Sequence, residues 1–554
     1  MTRRYLSLII IVLLASFLRL YKLGVNPPSL DWDEVSLAYN AQSLLETGRD
    51  EYGNRLPATI RSFNDYKPPL YTYALIPSLF IFGRSDFAVR FPSAIAGILT
   101  VVITYFLAKE LFPNFSPRGS RQATPPRWPE GLLGGETISL LAAVLLAISP
   151  WHLQFSRIAF EANLALLFFV LGIFALVKSL RGPWWLVISA ASFGLSLMAY
   201  HSTKLIIPLL VVLLAAPHWK RFLAHKKSLL AAALITLPFV IIILLTVVQG
   251  IGQSRLAMVS LLTKDELLDQ SIQRLESDNL SVFSRLFNHR YITYTREYLG
   301  GYLDHYSPNF WFIEGDGNGR HHAVDHGLLL WWTAPFLLVG LIDLFQQNRT
   351  SRWVLLSWFI VAPAASALTS GTPNSVRALF FLPTFDIFIA LGIVKVVRWL
   401  KTSPHPKHLL WLGIGLYLLL TIANIGRYFW YYYKHTPIES APDWQYGYKQ
   451  MVEYVESQKS NWDRIVFTTA YDQPYIYVLW YGNFDPKTIT NSGEFAKGFD
   501  KYTFRTINWT EDQKLPRTLL IGTRGEIPET GKNEWQVLFP DGSPAFIAVA
   551  TNSL

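Results

Sequence analysis

The stretch SLDWDEVSLAYN, residues 29–40, sets three carboxylates, Asp31, Asp33 and Glu34, into four positions directly after the first apolar run of the chain. More chemistry-bearing residues stand at the ends of later apolar runs. Lys67 lies in DYKPPLYTY, Arg157 and Glu161 in SPWHLQFSRIAFEAN, and His201 and Lys204 in AYHSTKL. Asp316, Arg320, His321, His322 and His326 lie in GDGNGRHHAVDHG, and Arg377 in SGTPNSVRA. Carboxylates beside cations suit a reaction in which a base removes a hydroxyl proton while positive groups hold an anionic leaving group. Ionisable residues at membrane depth cost about 2.5–3.5 kcal/mol each on the insertion scale, and they tend to mark function.

Each of these residues also has a purely structural use. SLDWDEVSLAYNAQSLLETG reads as a helix with an acidic first turn and a glycine stop, so Asp33 and Glu34 would also serve its N-terminus. Arg157 and Glu161 are four apart and would pair on one helix face, although Arg before Glu is the weaker order. Lys67, Lys204 and Arg377 would snorkel at helix ends. The histidines of 321–326 match no strong metal-ligand spacing. No cofactor is certain from the sequence, and a divalent metal stays open.

The elements that must position these groups follow from composition. Of 554 residues, 51% are hydrophobic and only 16% charged, against roughly 25% charged in a soluble domain. The deficit falls in long apolar runs, so the fold class is a polytopic α-helical membrane protein. Aromatic residues make up 15% of the chain, with 19 Trp and 27 Tyr, which suits interfacial belts. The net charge of +10 sits mainly between apolar runs and argues for positive-inside loops rather than nucleic-acid binding. Cysteine is absent, which excludes disulfides, thiolate metal sites and cysteine nucleophiles.

Eleven apolar runs are read as spans: 5–22, 90–110, 137–150, 163–179, 184–199, 204–217, 228–248, 328–345, 353–369, 377–394 and 409–426. The first is read as a retained helix, not a cleaved signal. A twelfth run, 68–83, starts with two prolines and is read as a juxtamembrane or re-entrant helix. If it does not cross, the basic loops HWKRFLAHKK, QQNRTSR and KVVRWLKTSPHPKH all lie inside. The outer face then receives the loop 23–89, the long loop 250–326 and everything after about residue 428. The chain divides into a transmembrane part, 1–427, and a small extracytoplasmic α/β domain, 428–554. In the latter RIVFTTA, YIYVLWYG, RTLLIGT and FIAVA read as strands and QYGYKQMVEYVESQ as a helix.

DEVSLAYNAQSLLETG, followed by YKPPLYTYALIPSLFIFGRSDFAVRFPSAIAGILTVVITYFLAKELF, resembles the N-terminal signature of the family 39-type membrane glycosyltransferases of the GT-C superfamily. Protein O-mannosyltransferases and the lipid A aminoarabinose transferases belong there. The likeness runs over residues 1–215 and includes a second acidic site in SPWHLQFSRIAFEANLALLFF, in its bacterial version. It implies a GT-C fold and an inverting transferase on the outer face of the plasma (inner) membrane. The donor would be a sugar linked to a polyprenyl phosphate. The acceptor hydroxyl would belong to a protein, a glycolipid or an envelope glycan. Asp33 matches the family's general base, with Glu34 beside it, and Lys67 matches the lysine near the donor phosphate. Glu161 stands where relatives usually carry aspartate in a slightly different register. Arg157, Lys204, Arg320 and Arg377 are further candidates for the phosphate, and His201, Asp316, His321 and His322 for other substrate contacts.

Two other classes fit the same composition. A transporter or flippase for lipid-linked sugars would place charges mid-membrane on broken helices, often in two repeated halves, and no repeat is found. An envelope glycan ligase or polymerase would share the donor type and the face.

Overall fold

The computed structural model describes residues 2–63, 65–113, 134–250, 260–261, 265–279, 281–402, 407–489, 495–528 and 533–551. The expected outer loop 250–326 therefore lies in part outside the described residues. The first half runs α1 (Thr2–Leu20), α2 (Trp32–Thr47), a hairpin of β1 (Ile60–Ser62) and β2 (Asp65–Lys67), α3 (Leu70–Phe82), α4 (Asp86–Leu111), α5 (Gly135–Ile148), α6 (Pro150–Ser156), α7 (Glu161–Ser179), α8 (Trp185–Leu197), α9 (Thr203–Ala215) and α10 (Lys226–Val248). A polar stretch carries α11 (Asp265–Ser277), α12 (Val282–Phe287) and α13 (Arg290–Asp304). Apolar helices return as α14 (Ala334–Leu344), α15 (Arg349–Val361), α16 (Thr384–Thr402) and α17 (Lys407–Trp430).

All eleven apolar runs are helical, and so is the run at 68–83. The chain is a multi-pass membrane protein. Six helical segments among the described residues are long and apolar enough to cross a membrane unaided. The pair α5 and α6, bent by 59° at Ser149, has the geometry of a broken span or a re-entrant loop and brings the number to seven if counted as one span. The other runs form shorter helices, so full-length spans are fewer than apolar runs. Close packing comes from small residues. A Cβ on Gly340 would lie 1.8 Å from the Phe388 carbonyl, and one on Gly392 would lie 1.9 Å from the Phe336 carbonyl, so α14 and α16 cross backbone to backbone.

After α17 come α18 (Tyr448–Gln458), β3 (Arg464–Phe467), α19 (Pro474–Tyr481), β4 (Gly498–Phe499), β5 (Tyr502–Phe504), β6 (Thr518–Gly522), β7 (Asn533–Leu538) and β8 (Pro544–Ala550). The strands form one six-stranded mixed sheet, ordered β4-β5-β3-β6-β8-β7. YIYVLWYG, expected as a strand, is the helix α19. Its Tyr-Ile-Tyr-Val run suits either state, but Pro474 occupies the first helical turn, where its missing N–H costs nothing. Every residue from Pro474 to Trp480 is buried, so no polar face marks the period.

The core beneath this sheet does not stop at the domain boundary expected near residue 428, which falls inside α17. Ile465, Leu519 and Ala548 belong to one apolar cluster with Val35, Leu37 and Ala41 of α2 and Tyr71 and Leu75 of α3. The sheet layer thus backs the helix that carries the acidic stretch.

Candidate active site

The acidic stretch organises itself first. Asp31 is the N-cap of α2: its Oδ1 accepts the Glu34 N–H at 2.8 Å, and Glu34 Oε2 accepts the Asp31 N–H at 3.2 Å, a capping box. Gly48, at φ 70°, ends the helix in the left-handed conformation. Capping therefore belongs to Asp31 and Glu34, and Asp33 is left for other work. Glu34 is fully buried. Its Oε1 accepts from Arg90 Nε at 3.0 Å and from the Ala159 N–H at 2.8 Å, and its Oε2 accepts from Arg90 Nη2 at 3.0 Å. Arg90 also donates to the carbonyls of Leu23, Pro27 and Ser29. Glu34 thus locks α2 to α4 and to the segment leading into α7. It takes no place on the cavity wall described next.

Asp33 points the other way, into a cavity of ≈ 220 Å³ lined by Asp33, Lys67, Glu161, His201, Arg320, His321 and Arg377, with Asp65, Tyr200, Asn318 and Asn374. Its Oδ1 accepts from Lys67 Nζ at 2.5 Å. The lysine side chain is 6% exposed and the aspartate 35%. The hairpin fixes this meeting. Lys67 pairs with Ile60 across β1–β2. One turn along α2 from Asp33, Ser36 Oγ lies 2.8 Å from Ser62 Oγ, so two points on one helix face hold the hairpin. Burial alone would lower the Lys67 ammonium, but the charges of Asp33 and then Glu161 hold it above the usual lysine range.

Also lining the cavity, Arg320 Nη1 donates to Asp31 Oδ2 at 2.8 Å and its guanidinium lies 5.2 Å from the Trp32 ring centre. Burial pushes the Asp31 carboxyl up to about 7, against the pull of Arg320. Beside it, Asp316 Oδ2 accepts from His321 Nδ1 at 2.7 Å and from the Ser375 N–H at 2.6 Å. Burial pushes Asp316 up, but His321 and the Ser375 N–H outweigh it and bring the carboxyl down to about 2. His201 Nε2 lies 3.0 Å from the Tyr66 carbonyl, which ties the α8–α9 corner to the strand carrying Lys67. Lys204 Nζ lies 3.2 Å from His201 Nδ1. Arg377 Nη1 donates to Thr369 Oγ1 at 2.6 Å and to the Ser370 carbonyl at 3.0 Å while lining the cavity.

The structure thus brings Asp33, Glu161, Lys67, Arg320, Arg377, His201 and His321 onto one cavity. It places others elsewhere. Arg157, expected at the phosphate or paired with Glu161, is fully buried and donates to the carbonyls of Leu18, Arg19, Lys22 and Asn26 and to Tyr432 Oη. It braces α1 and the chain after it. His322 turns onto the carbonyls of Asp316 and Ala323. Lys204 contacts His201, which lines the cavity. Among the described residues no three His, Asp or Glu side chains form a cluster able to hold a metal. Arg90, Asp31, Asn318 and Asn374 were not among the expected site residues. Arg90 carried a readable signal, as an arginine in the apolar start of a span.

Taken together, the fold is that seen in ArnT, a multi-helix membrane protein solved with a polyprenyl phosphate bound. Residues 66–117, which run from Tyr66 through Arg90, match the family model described as dolichyl-phosphate-mannose-protein mannosyltransferase. ArnT from Cupriavidus metallidurans bound to undecaprenyl phosphate superposes with a TM-score of 0.54 at 11% identity, covering 98% of each chain. The same enzyme in the apo state gives 0.53 at 12% identity, over 99% of this chain and 98% of that one. The archaeal oligosaccharyltransferase AglB from Archaeoglobus fulgidus, in complex with an inhibitory peptide and a dolichol-phosphate, lies further off at 0.49 and 13% identity, over 89% of this chain and 65% of that one. No curated protein matches by sequence.

Proposed function

We propose that the chain is an integral-membrane glycosyltransferase. It moves a hexosyl or pentosyl group from a polyprenyl-phosphate donor to an acceptor hydroxyl on the outer face, with inversion at the sugar carbon and Asp33 as general base. The observation that carries this reading is the Asp33–Lys67 pair on a cavity wall shared with Arg320 and Arg377. An anionic phosphate entering the cavity competes with Asp33 for Lys67. With its ammonium drawn to the phosphate, Asp33 is free to take the hydroxyl proton. The acceptor oxygen then attacks the sugar carbon from the face opposite the phosphate, and the bond from that carbon to the phosphate oxygen breaks. Lys67, Arg320 and Arg377 stabilise the charge that develops on the leaving polyprenyl phosphate. Glu161, on the same wall, hydrogen-bonds the acceptor. Glu34 keeps Asp33 and α7 in register and does not touch substrate.

The fold likeness supports a lipid-linked donor, since ArnT has undecaprenyl phosphate bound in that fold. The eleven-span arrangement with the cavity and the residues after 428 outside belongs to the same proposal. The test is transfer by purified protein from labelled polyprenyl-phosphate sugars to envelope lipids, glycans and proteins. Release of polyprenyl phosphate that stops in Asp33→Asn is the expected result. Sugar transfer that Asp33→Asn leaves intact, or no transfer from any such donor, overturns the reading. Mass spectrometry of envelope glycans in a deletion strain then names the acceptor.

A further inference from the structure

We propose that His321, held by Asp316, is the hydrogen-bond acceptor for a hydroxyl of the donor's sugar ring, and so a specificity residue of the site. The inference rests on the glycosyl-transfer reading above and adds where the sugar sits. His321 lines the same cavity as Asp33 and Lys67, and its side chain is 6% exposed. Its Nδ1 is committed to Asp316 Oδ2 at 2.7 Å, and that oxygen is fixed by the Ser375 N–H at 2.6 Å. The ring is walled by Phe155 and Phe160, with centroids 5.7 and 6.3 Å away. One nitrogen donating to a carboxylate sets the tautomer: Nδ1 carries the proton and Nε2 presents a lone pair. Burial disfavours the charged ring and so favours the neutral tautomer, holding His321 below the usual imidazole range in spite of Asp316.

This sorts the cavity by chemistry. An uncharged imidazole lone pair repels phosphate oxygens and takes an O–H. The phosphate goes to the ammonium and guanidinium groups of Lys67, Arg320 and Arg377, and the hydroxylated ring goes to His321. The length of the Asp316–His321 contact and the burial of both groups fix the direction of the lone pair before substrate arrives.

Two ligands separate the parts: undecaprenyl phosphate, which has no sugar, and a panel of undecaprenyl-phosphate sugars (mannosyl, glucosyl, galactosyl and aminoarabinosyl). In wild-type protein at least one sugar should bind more tightly than the bare phosphate. His321→Phe should keep its affinity for undecaprenyl phosphate and lose about 10- to 100-fold for the preferred sugar, the scale of one buried hydrogen bond. His321→Gln, which still offers an acceptor oxygen, should lose less, and Asp316→Asn should fall between. If His321→Phe weakens both ligands equally, or if none of the sugars adds affinity in wild-type protein, the assignment is wrong. Protein that binds no polyprenyl phosphate at all overturns the transferase reading instead. A folded check by detergent size exclusion accompanies each variant. Should His321→Phe not fold, the comparison of His321→Gln with Asp316→Asn decides: equal affinity of both variants and wild type for the preferred sugar overturns the proposal.

Discussion

Asp33 and Lys67 meet at 2.5 Å, with the lysine buried and the aspartate open to the cavity. In the proposed reaction the base and the phosphate ligand are therefore one ion pair until a donor divides them. Asp33→Asn keeps the shape of the side chain and removes its basicity and its negative charge, with Glu161 still acting on Lys67. Asp31, not Asp33, caps α2, so the fold has little to lose. The expected result is a stable, donor-binding protein with turnover down roughly 10²–10⁴-fold. Lys67→Ala should lower turnover by about 100-fold or more, and it should also weaken binding of undecaprenyl phosphate. Transfer assays and binding at matched folded amounts read both. Wild-type transfer by Lys67→Ala would mean that the lysine only balances Asp33.

Glu34 and Arg90 predict a different phenotype. The pair is fully buried, so removing one partner strands a charge, typically at a cost of about 3–5 kcal/mol. Glu34→Ala should therefore lose thermal stability and folded yield more than it loses turnover per folded molecule. Replacing both residues by apolar ones of similar volume should recover part of that loss. A Glu34 variant with normal stability and no turnover would return Glu34 to the chemistry.

Much of this was legible in residue types. The acidic turn, the glycine stop and the helix at 70–82 follow from caps and prolines, which act locally. The grouping of Asp33, Lys67, Glu161, Arg320 and Arg377 follows from all of them standing at helix ends or loops of one face, which charge bias can order. What could not be read was which polar group faces which. Arg157 and Arg320 look alike in sequence. One spends its guanidinium on four backbone carbonyls and the other reaches the cavity across nearly 290 positions of chain, from Arg320 to Asp31. Glu34 and Asp33 are neighbours that diverge by about 100° around the helix, and only tertiary packing says which side is cavity. Likewise α19 has no polar stripe, because Pro474–Trp480 is buried where the helix packs against α2 and α18.

Asp31 should make stability depend on pH. Its carboxyl is raised by burial to about 7, against about 3.9 in an unfolded chain. The folded state thus favours the protonated form. The sign follows: ionising Asp31 in the fold costs nothing below about pH 4, costs more as pH climbs toward 7, and is complete above it. Asn is as good a cap as Asp, so Asp31→Asn removes the titration and keeps the helix start. The melting temperature of Asp31→Asn relative to wild type should rise from pH 5 to pH 8. A flat or falling difference would mean that Arg320 keeps Asp31 ionised throughout.

The chain has no cysteine, so single cysteines report sidedness without background. Asn318 lines the cavity, and His225 lies between α9 and α10 in a basic segment. In intact cells an impermeant thiol reagent should label Asn318→Cys and spare His225→Cys. Outer labelling of His225→Cys would move every later loop to the other side and break the eleven-span arrangement.

The last prediction concerns why the sheet layer is there. Tyr477 of α19 is fully buried and stacks on Tyr448 of α18 with ring centres 4.1 Å apart. Its hydroxyl reaches the Leu30 carbonyl at 3.3 Å, one residue before the cap of α2. The layer after residue 428 therefore holds the start of the helix that carries Asp33. Tyr477→Ala should open a cavity costing about 3–5 kcal/mol, the range of large aromatic truncations, and should loosen α2 at its first turn. Tyr477→Phe keeps the stack and loses only hydrogen bonds, worth about 0.5–1.5 kcal/mol. Hydrogen exchange over residues 32–47 should rise in the alanine variant and change little in the phenylalanine variant. Turnover should fall in the same order, since a displaced Asp33 no longer faces Lys67. If Tyr477→Ala leaves exchange in α2 and transfer untouched, the sheet layer folds and acts apart from the site, and the shared core has no part in positioning the base.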